Sequence, residues 1–135
     1  MNLAKPIVIC ILAAGVAGCH PQPKATDFVT DYCKVKLDGM YKAALGKESV
    51  EAIVTESADT LTKMGYSLSE YYAGTNNPKE TYIRAEVAWI TGWKYDLASR
   101  ADPIASSQLK EYVYQWEQGC RDKTTMIYKH NSGAR

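Results

Sequence analysis

The stretch Thr26-Asp27-Phe28-Val29-Thr30-Asp31-Tyr32-Cys33-Lys34-Val35-Lys36-Leu37-Asp38-Gly39-Met40-Tyr41-Lys42-Ala43-Ala44-Leu45-Gly46 decides the fold. Val29, Cys33, Leu37, Met40 and Ala44 recur at steps of three and four, the spacing that lines up one face of an α-helix. Thr26 or Asp27 can cap its start, and Gly46 can end it just past Leu45.

The pattern returns downstream. Val50, Ile53, Val54, Ala58, Leu61 and Met64 form a second apolar face, with Gly65 as a left-handed stop. Ser67-Leu68-Ser69-Glu70 has the form of a capping box and opens a short helix through Tyr71 and Tyr72. Gly74-Thr75-Asn76-Asn77 is a break. Asn77-Pro78-Lys79-Glu80 then combines an N-cap asparagine, proline at the first helical position and an early acid. The helix that follows carries Ile83, Val87, Ile90 and Leu97, with Trp89 and Trp93 at its margin. Gly92 inside it costs up to about 1 kcal/mol against alanine and suggests a close neighbour. Asp102-Pro103 starts a last helix with the stripe Ala105, Leu109, Tyr112, Val113, Trp116 and Cys120. Convincing strand alternation is absent. The expectation is an all-α fold: a compact helical bundle of four main helices and one short one, tied by one disulfide.

Ahead of these helices lies a different kind of segment. Lys5 precedes the uncharged apolar run Ile7–Val16, and Val16-Ala17-Gly18-Cys19 follows. The run is too short to cross a bilayer core of ~30 Å, which takes about 20 apolar residues, so a processed signal fits it better than a permanent span. The four residues 16–19 resemble the lipobox of bacterial lipoproteins: an aliphatic residue, a small one, glycine or alanine, then cysteine. The resemblance implies a diacylglyceryl thioether on Cys19, cleavage before it and acylation of the new amino group. Two or more chains give a stable anchor where one does not. His20, rather than aspartate, follows the cysteine. In Gram-negative lipoproteins that pattern implies the outer membrane, with the domain facing the periplasm. The resulting organisation is a signal peptide over 1–18, lipidated Cys19 and tether over 19–25, a helical domain over 26–123 and a flexible tail over 124–135, where Met126, Ile127 and Tyr128 are candidates to dock.

Without Lys5, the chain from Cys19 onward carries equal numbers of basic and acidic side chains. A nucleic-acid binder would show a basic patch or stripe. Of the four cysteines, Cys10 leaves with the signal and Cys19 takes lipid. Cys33 and Cys120 remain, both on apolar helix faces, and two thiols in an oxidising compartment are expected to pair.

Reactive constellations are scarce. The only histidines, His20 and His130, have no ligand-spaced partners, so no metal is expected. A Gly-x-Ser-x-Gly elbow and a glycine-rich phosphate loop are absent. Among the carboxylates, Glu86 lies near Tyr82, Trp89 and Trp93, where burial would favour acid chemistry; the plainer reading is a solvated or hydrogen-bonded helix residue, and Asp96 and Asp102 are weaker candidates, Asp102 being already read as a cap. No cofactor beyond the Cys19 lipid is expected, and no enzyme activity.

Tyrosine occurs ten times and phenylalanine once. Trp116 reads as core. Trp89 and Trp93, four apart, read as core or as an exposed stacking surface for sugar or protein. Tyr66, Tyr71 and Tyr72 with Asn76 and Asn77 form a candidate contact surface, since tyrosine packs its ring while its hydroxyl stays wet. The alternative is that these tyrosines close the end of the bundle.

The expected function is a lipid-anchored periplasmic binding protein that captures or blocks a protein partner. In general form it resembles immunity proteins that neutralise envelope toxins, and exclusion lipoproteins. The alternatives are a structural accessory lipoprotein of an envelope assembly or secretion system, and a small periplasmic chaperone.

Overall fold

The computed structural model describes residues 25–72 and 74–133. The signal over 1–18, Cys19 and the tether through Lys24 lie outside the described residues. Ala25 already belongs to the first helix.

The chain runs through α1 (Ala25–Leu45), α2 (Val50–Lys63), the short α3 (Leu68–Tyr71), α4 (Pro78–Ala98), a 3-10 turn (Ser106–Gln108), the short α5 (Leu109–Tyr114) and α6 (Glu117–Gly133). Four helices are long, and there is no strand among the described residues. Helix α1 is the hub. It packs against α2, α4, α5 and α6, while α2 also packs on α4, and α3 touches both α4 and α6. A helix covered from several directions has no single apolar stripe. Phe28, Val29, Tyr32, Cys33, Val35, Leu37, Met40 and Ala43 of α1 are all buried, where the spacing had placed Ala44 instead of Ala43. The close approach is at Gly39, where a Cβ would stand 3.4 Å from Ile53 Cγ2. Gly92, expected to admit a neighbour, faces open space.

Helix α2 has one partner-facing side, and its pattern is correspondingly plain. Ile53, Val54, Ala58 and Leu61 are buried, Ser49 accepts from the Ala52 N–H at 3.2 Å, and Gly65 ends the element at φ 88°. Only Met64 departs from the expected stripe, being 44% exposed beyond the last turn. The start of α4 also follows its local sequence. Asn77 Oδ1 accepts from the Glu80 N–H at 3.3 Å and Asn77 Nδ2 donates to Glu80 Oε2 at 2.8 Å.

Other local readings do not hold. Helix α1 begins at Ala25, so Thr26 and Asp27 lie inside its first turn rather than capping it. The capping box at Ser67 does not form: Ser67 makes no side-chain cap bond, and its Oγ pairs with Ser69 Oγ. The last helix does not start at Asp102-Pro103. The Asp102 carbonyl accepts from Arg100 Nε, and helix begins only after the Ser106–Gln108 turn. It is then interrupted at Gln115 and Trp116. Beyond that break α6 continues to Gly133, so residues 124–133 are helix and not a flexible tail. Thr124 is buried, and Ile127 and Tyr128 pack on the core. Met126 does not dock; it is 68% exposed.

The expected disulfide is present. Cys33 and Cys120 are joined with their Cα atoms 5.8 Å apart, tying the hub helix to α6. Thr124 Oγ1 lies 3.6 Å from Cys33 Sγ and 3.8 Å from Cys120 Sγ, so a buried hydroxyl has the bridge for company.

One end of the bundle is closed by rings. The single phenylalanine, Phe28, stacks with Tyr32, Tyr66 and Tyr128 at centroid distances of 5.5, 5.3 and 5.3 Å. Tyr82 meets Tyr32 and Tyr72 edge-on. Such pairs add about 0.5–1.5 kcal/mol each beyond buried area.

Two tyrosines, Tyr66 of this cluster and Tyr114, reach back to acids of α1. Tyr66 donates to Asp31 Oδ2 at 2.5 Å, and Tyr114 donates to Asp38 Oδ1. Burial of the phenol, and then the hydrogen bond to the neighbouring carboxylate, push Tyr66 well above the usual phenol range and Tyr114 up to about 12. The folded values exceed the unfolded value of about 10. The unfolded chain therefore releases these protons first, and the stabilisation is complete below pH ~10 and lost as pH rises from there toward 12. Thermal melting of Y66F and Y114F between pH 9 and 12 should show a shallower alkaline decline than the parent chain. Parallel declines would remove these phenols from the account.

Candidate functional site

Helices α4 and α6 both pack on α1 and both touch α3, yet they hardly meet each other. The gap between them is a groove of about 600 Å³. Its floor is α1, through Tyr32, Lys36, Leu37 and Met40. Helix α4 contributes Ala85, Glu86 and Trp89. Trp116 at the break, and Gly119, Cys120, Lys123, Thr124 and Ile127 of α6, form the opposite wall. Tyr72, just past α3, also lines it. The volume falls within the range of about 300–1,000 Å³ typical of ligand pockets.

The polar centre of the groove is Glu86. The buried face of α4 is Tyr82, Glu86 and Ile90, so a carboxylate sits in the middle of a hydrophobic stripe, only 5% exposed. It is therefore not a solvated helix residue. Tyr32 donates its hydroxyl to Glu86 Oε1 at 3.0 Å. Lys36 Nζ lies 3.0 Å from Oε1 and 2.9 Å from Oε2. The direction of the ammonium suits Oε1; Oε2 has an electrostatic neighbour but receives no aligned hydrogen bond. Lys36 Nζ also stands 4.3 Å over the Trp89 ring, so one cation serves both the carboxylate and the indole. This arrangement holds a charged pair in place, with Glu86 Oε2 enclosed beside the Lys36 ammonium. Both cysteines of the region are bridged, and His130 is an exposed residue near the end of α6. Among the described residues, no group of three or more His, Cys, Asp or Glu side chains could hold a metal ion.

The aromatic residues are distributed differently from expectation. Trp116, read as core, is 47% exposed on the groove wall. Carrying one helical phase through residues 115 and 116 gave the wrong face, because the helix breaks there. Trp89, 39% exposed, lines the same groove from α4, while Trp93 packs against the core. The pair of tryptophans at the site is thus Trp89 with Trp116, not Trp89 with Trp93. The contact surface expected around α3 is not assembled as such. Tyr66 and Tyr72 are packed into the closed end of the bundle, Tyr72 also reaching the groove. Asn77 is committed to capping α4, and Asn76 is exposed beside it. The side chain of Tyr71 lies outside the described residues.

Lys36 and Glu86 are fifty positions apart in the chain, and no local signal pairs them. The one usable hint was the helical spacing Tyr82-Glu86-Ile90, which competes with the more apolar set Ile83-Val87-Ile90. Comparison with protein-family models, with curated proteins and with solved structures gives no match. The site is read from its own chemistry.

Proposed function

We propose that the chain is a lipid-anchored binding protein of the bacterial envelope, facing the periplasm from the outer membrane, that captures or blocks a protein partner in the manner of immunity or exclusion proteins. The observation that carries this reading is the groove between α4 and α6, with two half-exposed tryptophans on its walls and a buried carboxylate between them. Tryptophan is the residue most enriched where interfaces concentrate their energy. Residues 16–19 supply the location, through their resemblance to a lipobox. Tethering by Cys19 raises the effective concentration of the groove at the membrane where a partner arrives. Within the groove Glu86 is engaged by Lys36 and Tyr32, an arrangement that fixes the carboxylate in place. Among the described residues, no helix is long and apolar enough to cross a membrane.

Two measurements test the proposal together. Labelled palmitate should enter the full chain and should not enter Cys19→Ala. Crosslinking in envelopes should join the parent chain to one protein in fixed ratio, and Trp116→Ala should weaken that complex about 30-fold or more, the size of a hot-spot loss. Its side chain is half-exposed, so melting should change little. Unlabelled parent chain sinks the anchor; a complex indifferent to Trp116→Ala sinks the groove as the binding site.

A further inference from the structure

We propose that the groove seats an amphipathic α-helix of the partner protein, its apolar ridge lying between α4 and α6 and an acidic residue beside Lys123. This rests on the binding reading above and names the element that the partner brings.

Four observations select that occupant. The first is depth. Tyr32, Leu37 and Met40 on the floor are each at most 2% exposed, so the groove is a shallow trough whose reachable surface is its walls. A small ligand needs a site that encloses most of its surface. A trough suits a long, stiff occupant that rests on both walls. The second is the backbone. The floor is α1 and the walls are mainly α4 and α6, and a helix pairs its main-chain groups within itself. An extended segment would lie there with unpartnered N–H and C=O groups, whereas a helix arrives with its own bonds made.

The third is the relief of the walls. Ala85, Trp89 and Gly92 stand four and three positions apart on one face of α4, and Gly119, Lys123 and Met126 repeat that spacing on α6. All six are exposed. Glycine weakens the interior of a helix, yet a Cβ added at Gly92 or Gly119 would meet nothing within 4 Å among the described residues. The bare backbone leaves room for a neighbouring helix to approach closely. Trp89 and Trp116 stand on opposite walls as anchors, and Met126 is a large apolar side chain left 68% exposed. The fourth is charge. Glu86 and Lys36 answer each other, and Lys36 stands over the Trp89 ring, so the pair fixes the wall indole from the floor. Lys123 is left over, exposed and without an ion-pair partner among the described residues. The charge that the groove shows to solvent is positive. It favours an acid flanking the apolar ridge and opposes a lysine or arginine there.

The test uses designed peptides of about 18 residues, long enough to form a helix. They are titrated into the full chain while indole fluorescence and peptide helicity are followed. One carries leucines at i, i+4 and i+7 flanked by glutamates. The second has lysines for the glutamates. The third has a central proline that breaks the helix. The glutamate peptide should gain helicity and bind about fivefold or more tightly than the lysine peptide, the worth of exchanging an exposed attraction for a repulsion. The proline peptide should not bind measurably. Lys123→Glu should reverse the order of the two charged peptides. Gly92→Leu should weaken the glutamate peptide about tenfold or more by filling its seat, and should release the crosslinked partner. Melting of that variant should not fall, since leucine is the better helix former and meets open space.

Equal binding of the two charged peptides, or an order unchanged by Lys123→Glu, overturns the acid. A proline peptide that binds as tightly as the glutamate peptide overturns the helix. No peptide bound, with the partner still lost on Trp116→Ala, overturns this inference and leaves the binding reading standing. Self-association of the parent chain that Gly92→Leu abolishes overturns the occupant in favour of a second copy. A glutamate peptide bound with no protein ever crosslinked overturns the partner as the source of the helix, together with the binding reading.

Discussion

Cys33→Ser or Cys120→Ser should each lower the unfolding free energy by about 4 kcal/mol. The bridge spans 87 positions and joins the helix at the centre of the bundle to the last one. In the chain-entropy model, removing a cross-link over a loop of this size releases roughly 4–5 kcal/mol of denatured-state freedom. Local damage should be small. The Thr124 hydroxyl sits 3.6 Å from Cys33 Sγ, so a serine hydroxyl at that buried position has a partner within reach. The loss therefore resides mainly in the unfolded chain. Two signatures separate that account from simple loss of packing. The two single variants and the double variant should be nearly equal, because all three remove one bond. The denaturant slope should rise, because the unbridged denatured chain is more expanded. Urea unfolding of the three variants, and of the parent chain with and without reductant, measures both. Unchanged midpoints would mean that the bridge does not hold the bundle together. For a single domain whose total stability is of order 5–15 kcal/mol, a loss of 4 places the fold close to its limit.

The readability of this fold from its sequence depends on how many neighbours each helix has. Helix α2 packs directly on both α1 and α4 through one face, and its stripe Ile53, Val54, Ala58 and Leu61 could be read directly. Helix α1 is enclosed from several sides, so apolar residues appear on most of its circumference and the spacing identifies a helix without identifying its faces. The α4 cap was legible because Asn77, Pro78 and Glu80 act on one another within a single turn. Helix α6 was not, beyond Lys123. Its apolar content is low, and what orders it is tertiary: Thr124 against the bridge, Ile127 and Tyr128 against rings and side chains from elsewhere in the chain. The site was hidden for a related reason. A glutamate contributes nothing to an apolar period, so Glu86 was visible only as a carboxylate near aromatic residues. Its actual environment is made by Tyr32 and Lys36, which reach it from 54 and 50 positions away. Trp116 was misplaced by a two-residue interruption that no proline or turn signature announces.

Glu86→Leu should be about as damaging as loss of the bridge, destabilising by about 3–5 kcal/mol, and the way it can be repaired is the informative part. Taking away one member of a buried pair leaves the other charge without compensation. Here the survivors are the Lys36 ammonium, whose side chain is 17% exposed, and the buried Tyr32 hydroxyl. Glu86→Gln should cost less, since an amide oxygen can still accept from Tyr32 while only the charge is lost. Adding Lys36→Met to Glu86→Leu should recover most of the deficit, because an apolar pair of similar volume often equals or exceeds an ion pair in stability. It forfeits about 0.5–1 kcal/mol of attraction between Lys36 and the Trp89 ring. A strong positive coupling in the double-mutant cycle from chemical denaturation is thus expected, and simple additivity would show that the two side chains do not depend on each other. Recovery of stability has a functional consequence. A bundle that folds as well with leucine and methionine does not need the pair for its fold, and the carboxylate must then be accounted for by what the groove binds. The repaired double variant should therefore melt like the parent chain and bind its partner poorly. If it binds the partner as well as the parent chain does, Glu86 is a structural residue alone.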